Sequence, residues 1–249
     1  MREAQVLVHN RRFVLGRRSL LAALLLVLAL SGCATSAGAR RQAFRPQPGD
    51  LLFQELDGNP FFDAVAKVTR GHRGAALTHV GVVALDPVGE VVVLEALTEG
   101  VVATRLESFL ARSHDERGDP RVLVGRLDKE YRRLIPEALT AAFALVGRPY
   151  DSLFEIDNGA YYCAELVHVV FRDANEGEPL FLLEPMTFAD PNTGETFPVW
   201  EEYFEELQAP VPEGRPGLNP GGMSRAPELQ IVHAYGMVRS EQAPIHKKP

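Results

Sequence analysis

A thiol becomes a nucleophile where its surroundings favour the thiolate, and a helix N-terminus does this through unpaired N–H groups and the helix dipole. Cys163 heads such a segment. Leu166, Val167, Val170 and Phe171 follow it at three, four, seven and eight residues. That spacing predicts a helix from Cys163 to about Asp173, with the cysteine on its core-facing first turn. The plainer alternative is a buried structural cysteine, since unpaired cysteines are among the most buried residues. A nucleophile also requires a base and a group that orients the base.

Seven histidines compete for the base. His9 lies in the leader described below and His246 in a polar tail. His168, five residues after Cys163, points about 140° away around a helix. His114 sits in the charged run Arg112-Ser113-His114-Asp115-Glu116-Arg117, which reads as a solvated loop; His72, between Gly71 and Arg73-Gly74, reads as another, and His233 belongs to the last strand. His79 remains, at the entry to a β-branched run. Val80–Leu85 and Val91–Leu94 flank Asp86-Pro87-Val88-Gly89 and predict an antiparallel hairpin. Centred on Pro87, that hairpin sets Glu95 directly across from His79 on one sheet face. A lone carboxylate after Val91-Val92-Val93-Leu94 needs a partner, and an imidazole oriented by it is what a cysteine hydrolase uses. An ordinary hairpin with an edge glutamate is the alternative.

The elements that would carry these groups follow from periodicity and punctuation. Asp50–Gln54 is a short apolar strand. Asn59-Pro60 opens an amphipathic helix to about Arg70, with Phe61, Val65 and Val68 on one face and Pro60 at a first helical position. Arg121–Leu127 is a strand, Pro136–Val146 a helix closed by Gly147, and Leu229–Met237 a closing strand. Residues 179–228 form a Pro/Gly-rich insertion around one helical patch, Trp200, Phe204 and Leu207. No repeat is present. Strands and helices are segregated, which argues an α+β class over a doubly wound sheet.

The 249 residues, 46% hydrophobic and 24% charged, have ordinary globular composition. Two cysteines, Cys33 and Cys163, are too few for a disulfide scaffold or a cysteine-built zinc site. No metal signature of the His-Glu-x-x-His kind occurs, and no cofactor is implied. The formal charge of −7 disfavours nucleic acid as a partner. Arg11, Arg12, Arg17 and Arg18 precede the uncharged run 20–30, too short to span a bilayer, which ends in Leu30-Ser31-Gly32-Cys33. This reads as a signal peptide over 1–32. The cysteine after Leu-Ser-Gly resembles the lipobox of bacterial lipoproteins, and Gly16-Arg17-Arg18-Ser19-Leu20-Leu21 bears a faint likeness to a twin-arginine signal. A plain secretory signal cut near Ala34 or Ala37 is the alternative. The lipobox resemblance implies an acylated Cys33, a flexible tether to residue 48 and a chain held at the membrane of a bacterial cell envelope, facing the periplasm or exterior. Removing 1–32 leaves 21 cations against 32 carboxylates, a charge of −11. Anionic headgroups would repel such a body, so a lipid must do the anchoring.

Five motifs follow one another in a telling order: Gly49-Asp50-Leu51-Leu52-Phe53-Gln54, Thr78-His79-Val80-Gly81-Val82-Val83, Leu94-Glu95-Ala96, Arg148-Pro149-Tyr150-Asp151-Ser152-Leu153-Phe154 and Tyr162-Cys163-Ala164-Glu165-Leu166. Together they resemble the permuted papain-like amidases of the YaeF/YiiX type, relatives of the NlpC-type cell-wall peptidases. The likeness spans about Gly49 to Phe171. It implies a circularly permuted papain-like fold over 49–239, with an antiparallel sheet packed on a nucleophile-bearing helix and a polar tail from residue 240. It also implies Cys163 as nucleophile, His79 as base and later acid, Glu95 as the orienting group, and the Cys163 N–H as part of an oxyanion hole. Tyr162 becomes a candidate for lining the cleft, with a packed aromatic as the alternative. Ala164 stands where the family is expected to have serine. The substrate implied is a peptidoglycan peptide or an acylated amide or lipid. Acyl transfer, thioester cleavage and a non-catalytic envelope-binding lipoprotein are the rival functions, and a Cys33–Cys163 disulfide is a rival use of the two thiols. Nothing in the sequence sets an oligomeric state.

Overall fold

The computed structural model describes residues 44–240. The proposed signal peptide, Cys33, the tether as far as residue 43 and the tail from residue 241 lie outside the described residues. Leu51, Leu52, Phe53 and Gln54 form β1, and all four are fully buried because β1 is a central strand. It runs antiparallel to β2 (His79–Leu85) on one side and to β5 (Val122–Leu127) on the other. Beyond β2 come β3 (Val91–Leu97) and β4 (Gly100–Arg105), and beyond β5 comes β8 (Leu229–Ala234). The resulting six-stranded sheet has the order β4-β3-β2-β1-β5-β8, with every described pairing antiparallel. The two-residue strands β6 (Glu184–Pro185) and β7 (Pro216–Gly217) pair separately.

Among the described residues six α-helices accompany the strands: α1 (Pro60–Val68), α2 (Leu106–Leu110), α3 (Ile135–Ala144), α4 (Cys163–Ala174), α5 (Pro198–Glu206) and α6 (Pro220–Met223). The start of α1 is set by Asn59, whose side-chain oxygen accepts the Phe62 N–H at 3.0 Å, with Pro60 in the first turn. Helix α4 packs against α3, β2 and β3. Its Leu166, Val167, Val170 and Phe171 join Val80, Val82, Ala84 and Leu94 in the main core. Helices α1 and α5 meet in a second, aromatic cluster of Phe61, Phe188, Trp200 and Phe204. Trp200 and Phe204 are buried there, whereas Leu207, expected on the same face, lies past the end of α5 and is 38% exposed.

The hairpin register differs from the one expected. Val82 pairs with Leu94 and Leu85 with Val91, so the loop spans 86–90 and is centred on Val88, not Pro87. The Asp86 carboxylate fixes it by accepting the Val88 and Glu90 N–H groups. Glu95 therefore faces Gly81, where an added Cβ would come within 2.5 Å of Val93 and 3.2 Å of the Glu95 Cβ. His79 and Glu95 still share a sheet face, as diagonal neighbours and not as a directly opposed pair. The strand β4 was not expected from the sequence, nor was the short helix α2 that follows it.

Candidate active site

Cys163 is the first residue of α4, and the first intrahelical bond runs from the Leu166 N–H to the Tyr162 carbonyl. The N–H groups of Cys163, Ala164 and Glu165 thus have no acceptor within the helix, and they place positive potential beside the sulfur. The thiol is free and half-buried. It hydrogen-bonds the His79 side chain. His79 Nε2 lies 2.6 Å from Glu95 Oε2, which leaves the other ring nitrogen, Nδ1, for Cys163. The three side chains thus form one chain of contacts, with His79 in the middle.

His79 and Glu95 are both buried. Burial alone would lower the His79 pKa, but its bonds to Cys163 and Glu95 outweigh that effect and push it up to about 9. Burial would raise the Glu95 carboxyl; instead Arg112 and then His79 hold it down at about 2. Arg112 donates from Nη1 to Glu95 Oε2 at 2.7 Å and from Nη2 to Oε1. This two-pronged geometry is what a planar guanidinium can supply and an ammonium cannot. Arg112 offsets the Glu95 charge, which leaves a protonated His79 to face Cys163. The guanidinium also sits 5.3 Å from the Phe109 ring, whose centroid is 5.9 Å from that of His79. The Phe109 carbonyl accepts from Gln54 Nε2 at 2.8 Å, which ties this support to β1.

Arg112 is thus drawn out of the run expected to be a solvated loop. The expectation does hold for His114, Glu116 and Arg117, which are exposed. Glu95 signals the need for a second cation, because a buried carboxylate that shares a histidine with a thiol is otherwise short of positive charge, but nothing in the sequence singles out Arg112 as that cation. The other histidines among the described residues stand apart: His168 is buried in α4 with Nδ1 2.8 Å from the Phe181 carbonyl oxygen, and His72 and His233 are partly exposed. Tyr162 takes both roles weighed for it. It lines the cleft beside Cys163, yet it is 3% exposed and its hydroxyl accepts the Leu218 N–H at 3.0 Å. Asp151 is a turn anchor, accepting the N–H groups of Leu153 and Glu155. Glu165 accepts N–H groups from Asp157 and Tyr162, and burial pushes its carboxyl up to about 8. Ala164 is fully buried. Tyr150 also lines the cleft; burial and then the charge of Cys163 raise its phenol well above the ordinary value, so it stays an O–H donor.

The cleft onto which Cys163 opens holds about 620 Å³. The model of the permuted papain-like amidase enzymes, YaeF/YiiX, C92 family, matches residues 45–233. The chain belongs to that family. The match runs well past Phe171 and spans residues 179–228. The α+β architecture with its antiparallel sheet is therefore a permuted papain-like fold, and membership in a family named for amidase enzymes suggests a cysteine hydrolase. The C92 fold is also seen in the crystal structure of the metalloprotein YiiX from Escherichia coli O157:H7, which is 23% identical, with 77% of this chain and 98% of that one covered and a TM-score of 0.59. Among the described residues here, no group of three or more His, Cys, Asp or Glu side chains is placed to hold a metal ion. A search of curated proteins finds no match.

Proposed function

We propose that this C92 protein cleaves amide bonds through an acyl-enzyme on Cys163. The observation that carries the reading is His79, bonded to Cys163 on one side and to Glu95 on the other. The Cys163 sulfur attacks the carbonyl carbon, and the negative charge that develops on oxygen faces the first N–H groups of α4. The C–N bond breaks as His79 gives its proton to the departing amine, leaving a thioester. Water then attacks the thioester, His79 takes the water's proton, and the C–S bond breaks to release a carboxylic acid and restore the thiol. Glu95 holds the imidazole in place and stabilises its charged form; Arg112 holds Glu95.

The protein carrying this site is, on the same proposal, exported and tethered by lipid on Cys33. The Leu30-Ser31-Gly32-Cys33 sequence and the charge of −11 after removal of 1–32 support that reading. Among the described residues no helix is long and apolar enough to cross a membrane. The test is an activity screen on acyl amides and wall-peptide amides with the full chain and Cys163→Ala. Hydrolysis by the former alone is expected, and equal hydrolysis by both removes Cys163 from the mechanism.

A further inference from the structure

Two segments from distant parts of the chain are locked together at the mouth of the cleft. Gly221 of α6 lies so close to the end of α1 that an added Cβ would come within 1.8 Å of the Thr69 carbonyl oxygen. Two hydrogen bonds hold this approach: the Ser224 hydroxyl accepts the His72 N–H at 2.8 Å, and Arg225 Nη1 donates to the Arg70 carbonyl at 2.6 Å. The cleft is lined here by Lys67, Arg70 and Arg225, all exposed, and by Asn219. Among the described residues no carboxylate lies within ion-pair distance of these three cations, whereas Arg126, Arg172 and Arg239 each meet one. Lys67 sits in the last turn of α1, where a cation suits the helix dipole. Arg70 and Arg225 have no such explanation: the fold draws them together across 155 residues with no carboxylate between them. Asn219 Oδ1 accepts the Gly222 N–H, which leaves the side-chain amide N–H groups to donate. Of the two lining carboxylates, Asp190 is committed to Asn192, and Glu184 is exposed on β6.

We infer that Lys67, Arg70, Arg225 and the Asn219 amide form a subsite for an oxyanion, a carboxylate or a phosphate, carried by the substrate away from the amide that Cys163 attacks. The subsite presupposes the amide-hydrolase reading above and narrows its substrates to anionic amides. A guanidinium matches either oxyanion with two parallel N–H bonds; Arg225 uses Nη1 on the Arg70 carbonyl, and its Nη2 and Nε remain for such a pair. Charge gives a second reason. The chain carries −11 after removal of 1–32, so the body as a whole repels an anion and admits it where cations gather without partners. A neutral amide gains nothing from this corner of the cleft, and a cationic one is turned away. Arg225, Asn219, Leu218 and Glu184 also line a second cavity of about 220 Å³, so the subsite lies where the two cavities meet.

Trp200 is the only tryptophan of the chain and lines the cleft, so its emission reports occupancy. The full chain carrying Cys163→Ala is titrated with propanoyl amides of ω-amino acids of graded length, the matching phosphonates, the neutral carboxamides and the ammonium analogues. A mirrored set carries the charged end on the acyl side. At the best-fitting length an anionic amide is expected to bind about fivefold tighter than its neutral match, and the tighter of the two anions distinguishes a carboxylate from a phosphate substrate. Arg70→Gln and Arg225→Gln should each remove about fivefold of the anion's affinity and leave the neutral amide unchanged. Glu184→Gln should tighten the anion, and Arg117→Gln, outside the cleft lining, should change neither. The anion's advantage should shrink between about 0.05 M and about 0.5 M salt. Equal affinity for anionic and neutral amides, tighter binding of the ammonium amides, failure of every anionic amide to bind, or an anion preference that survives both arginine variants overturns the subsite. Turnover by the unsubstituted chain separates the two claims. Anion-selective binding with no amide hydrolysed refutes the amidase reading and leaves the subsite standing, whereas hydrolysis of anionic and neutral amides with equal kcat/KM and equal affinity does the reverse.

Discussion

Arg112 offers the sharpest test of how the site is held together. In Arg112→Met the Glu95 carboxylate keeps its burial and its bond to His79 but loses both guanidinium bonds. Glu95 is lowered from 4.5 to about 2, which corresponds to ~3 kcal/mol. Arg112 is the largest of the three hydrogen-bonding influences lowering it, ahead of His79 and Thr104, so about 2 kcal/mol of stability is at stake. That is below the ~3–5 kcal/mol found when one partner of a fully buried pair is removed, as suits a guanidinium that is 24% exposed. A depressed carboxyl stabilises above its unfolded pKa, and that contribution is lost as pH falls through the folded value. In the variant the folded pKa rises, so the gap from the parent should be full near pH 7 and should shrink on acidification. The assay is urea unfolding at a series of pH values, with kcat/KM measured alongside; the acid limb of kcat/KM should move to higher pH as Glu95 becomes easier to protonate. Arg112→Lys restores the charge without the second prong and should recover only part of the loss. A methionine variant with the stability and pH profile of the parent would refute the assigned role.

His79 is raised to about 9, so it is charged below that pH and loses its proton above it. The imidazolium beside Cys163 should therefore be lost on the alkaline side, with kcat/KM over roughly pH 6–10 falling through a value near 9. In Glu95→Gln that limb should move to lower pH, and an unmoved limb separates Glu95 from the base. For stability the same shift has the opposite sense to that of Glu95: it is fully present below the ordinary histidine value and lost as pH rises through about 9. Glu165 is raised to about 8, so its burial penalises folding increasingly as pH climbs; Glu165→Gln should gain at least ~1 kcal/mol relative to the parent at pH 9 compared with pH 5 in thermal melts. Intact-mass analysis of protein from a bacterial membrane fraction should find a chain beginning at an acylated Cys33, and an unmodified N-terminus at Ala34 or beyond would refute the anchor.

The helix headed by Cys163 was legible because its apolar spacing falls on one face, and α4 buries Leu166, Val167, Val170 and Phe171 as that spacing requires. Glu95 was legible as a carboxylate in an apolar strand. Its second partner was not, because Arg112 reaches it only after β4 and α2 have turned the chain back, and neither element stands out from the residues 100–110. The hairpin was correct in kind but shifted in register, since a five-residue loop held by Asp86 looks much like a shorter turn at Pro87. The cleft wall was beyond reach from sequence: prolines and glycines in 179–228 hide which apolar residues share a surface, and the contact between α1 and α5 joins segments far apart in the chain.

The central claim is that Cys163 carries the acyl group. The direct measurement is intact-mass and peptide mass spectrometry of the full chain quenched in acid during turnover of an N-acyl amide, beside Cys163→Ala treated identically. The expected result is a mass gain equal to the acyl group, mapped to Cys163 and absent in the alanine variant. An acyl adduct elsewhere on the chain, or hydrolysis that persists in Cys163→Ala, would contradict it.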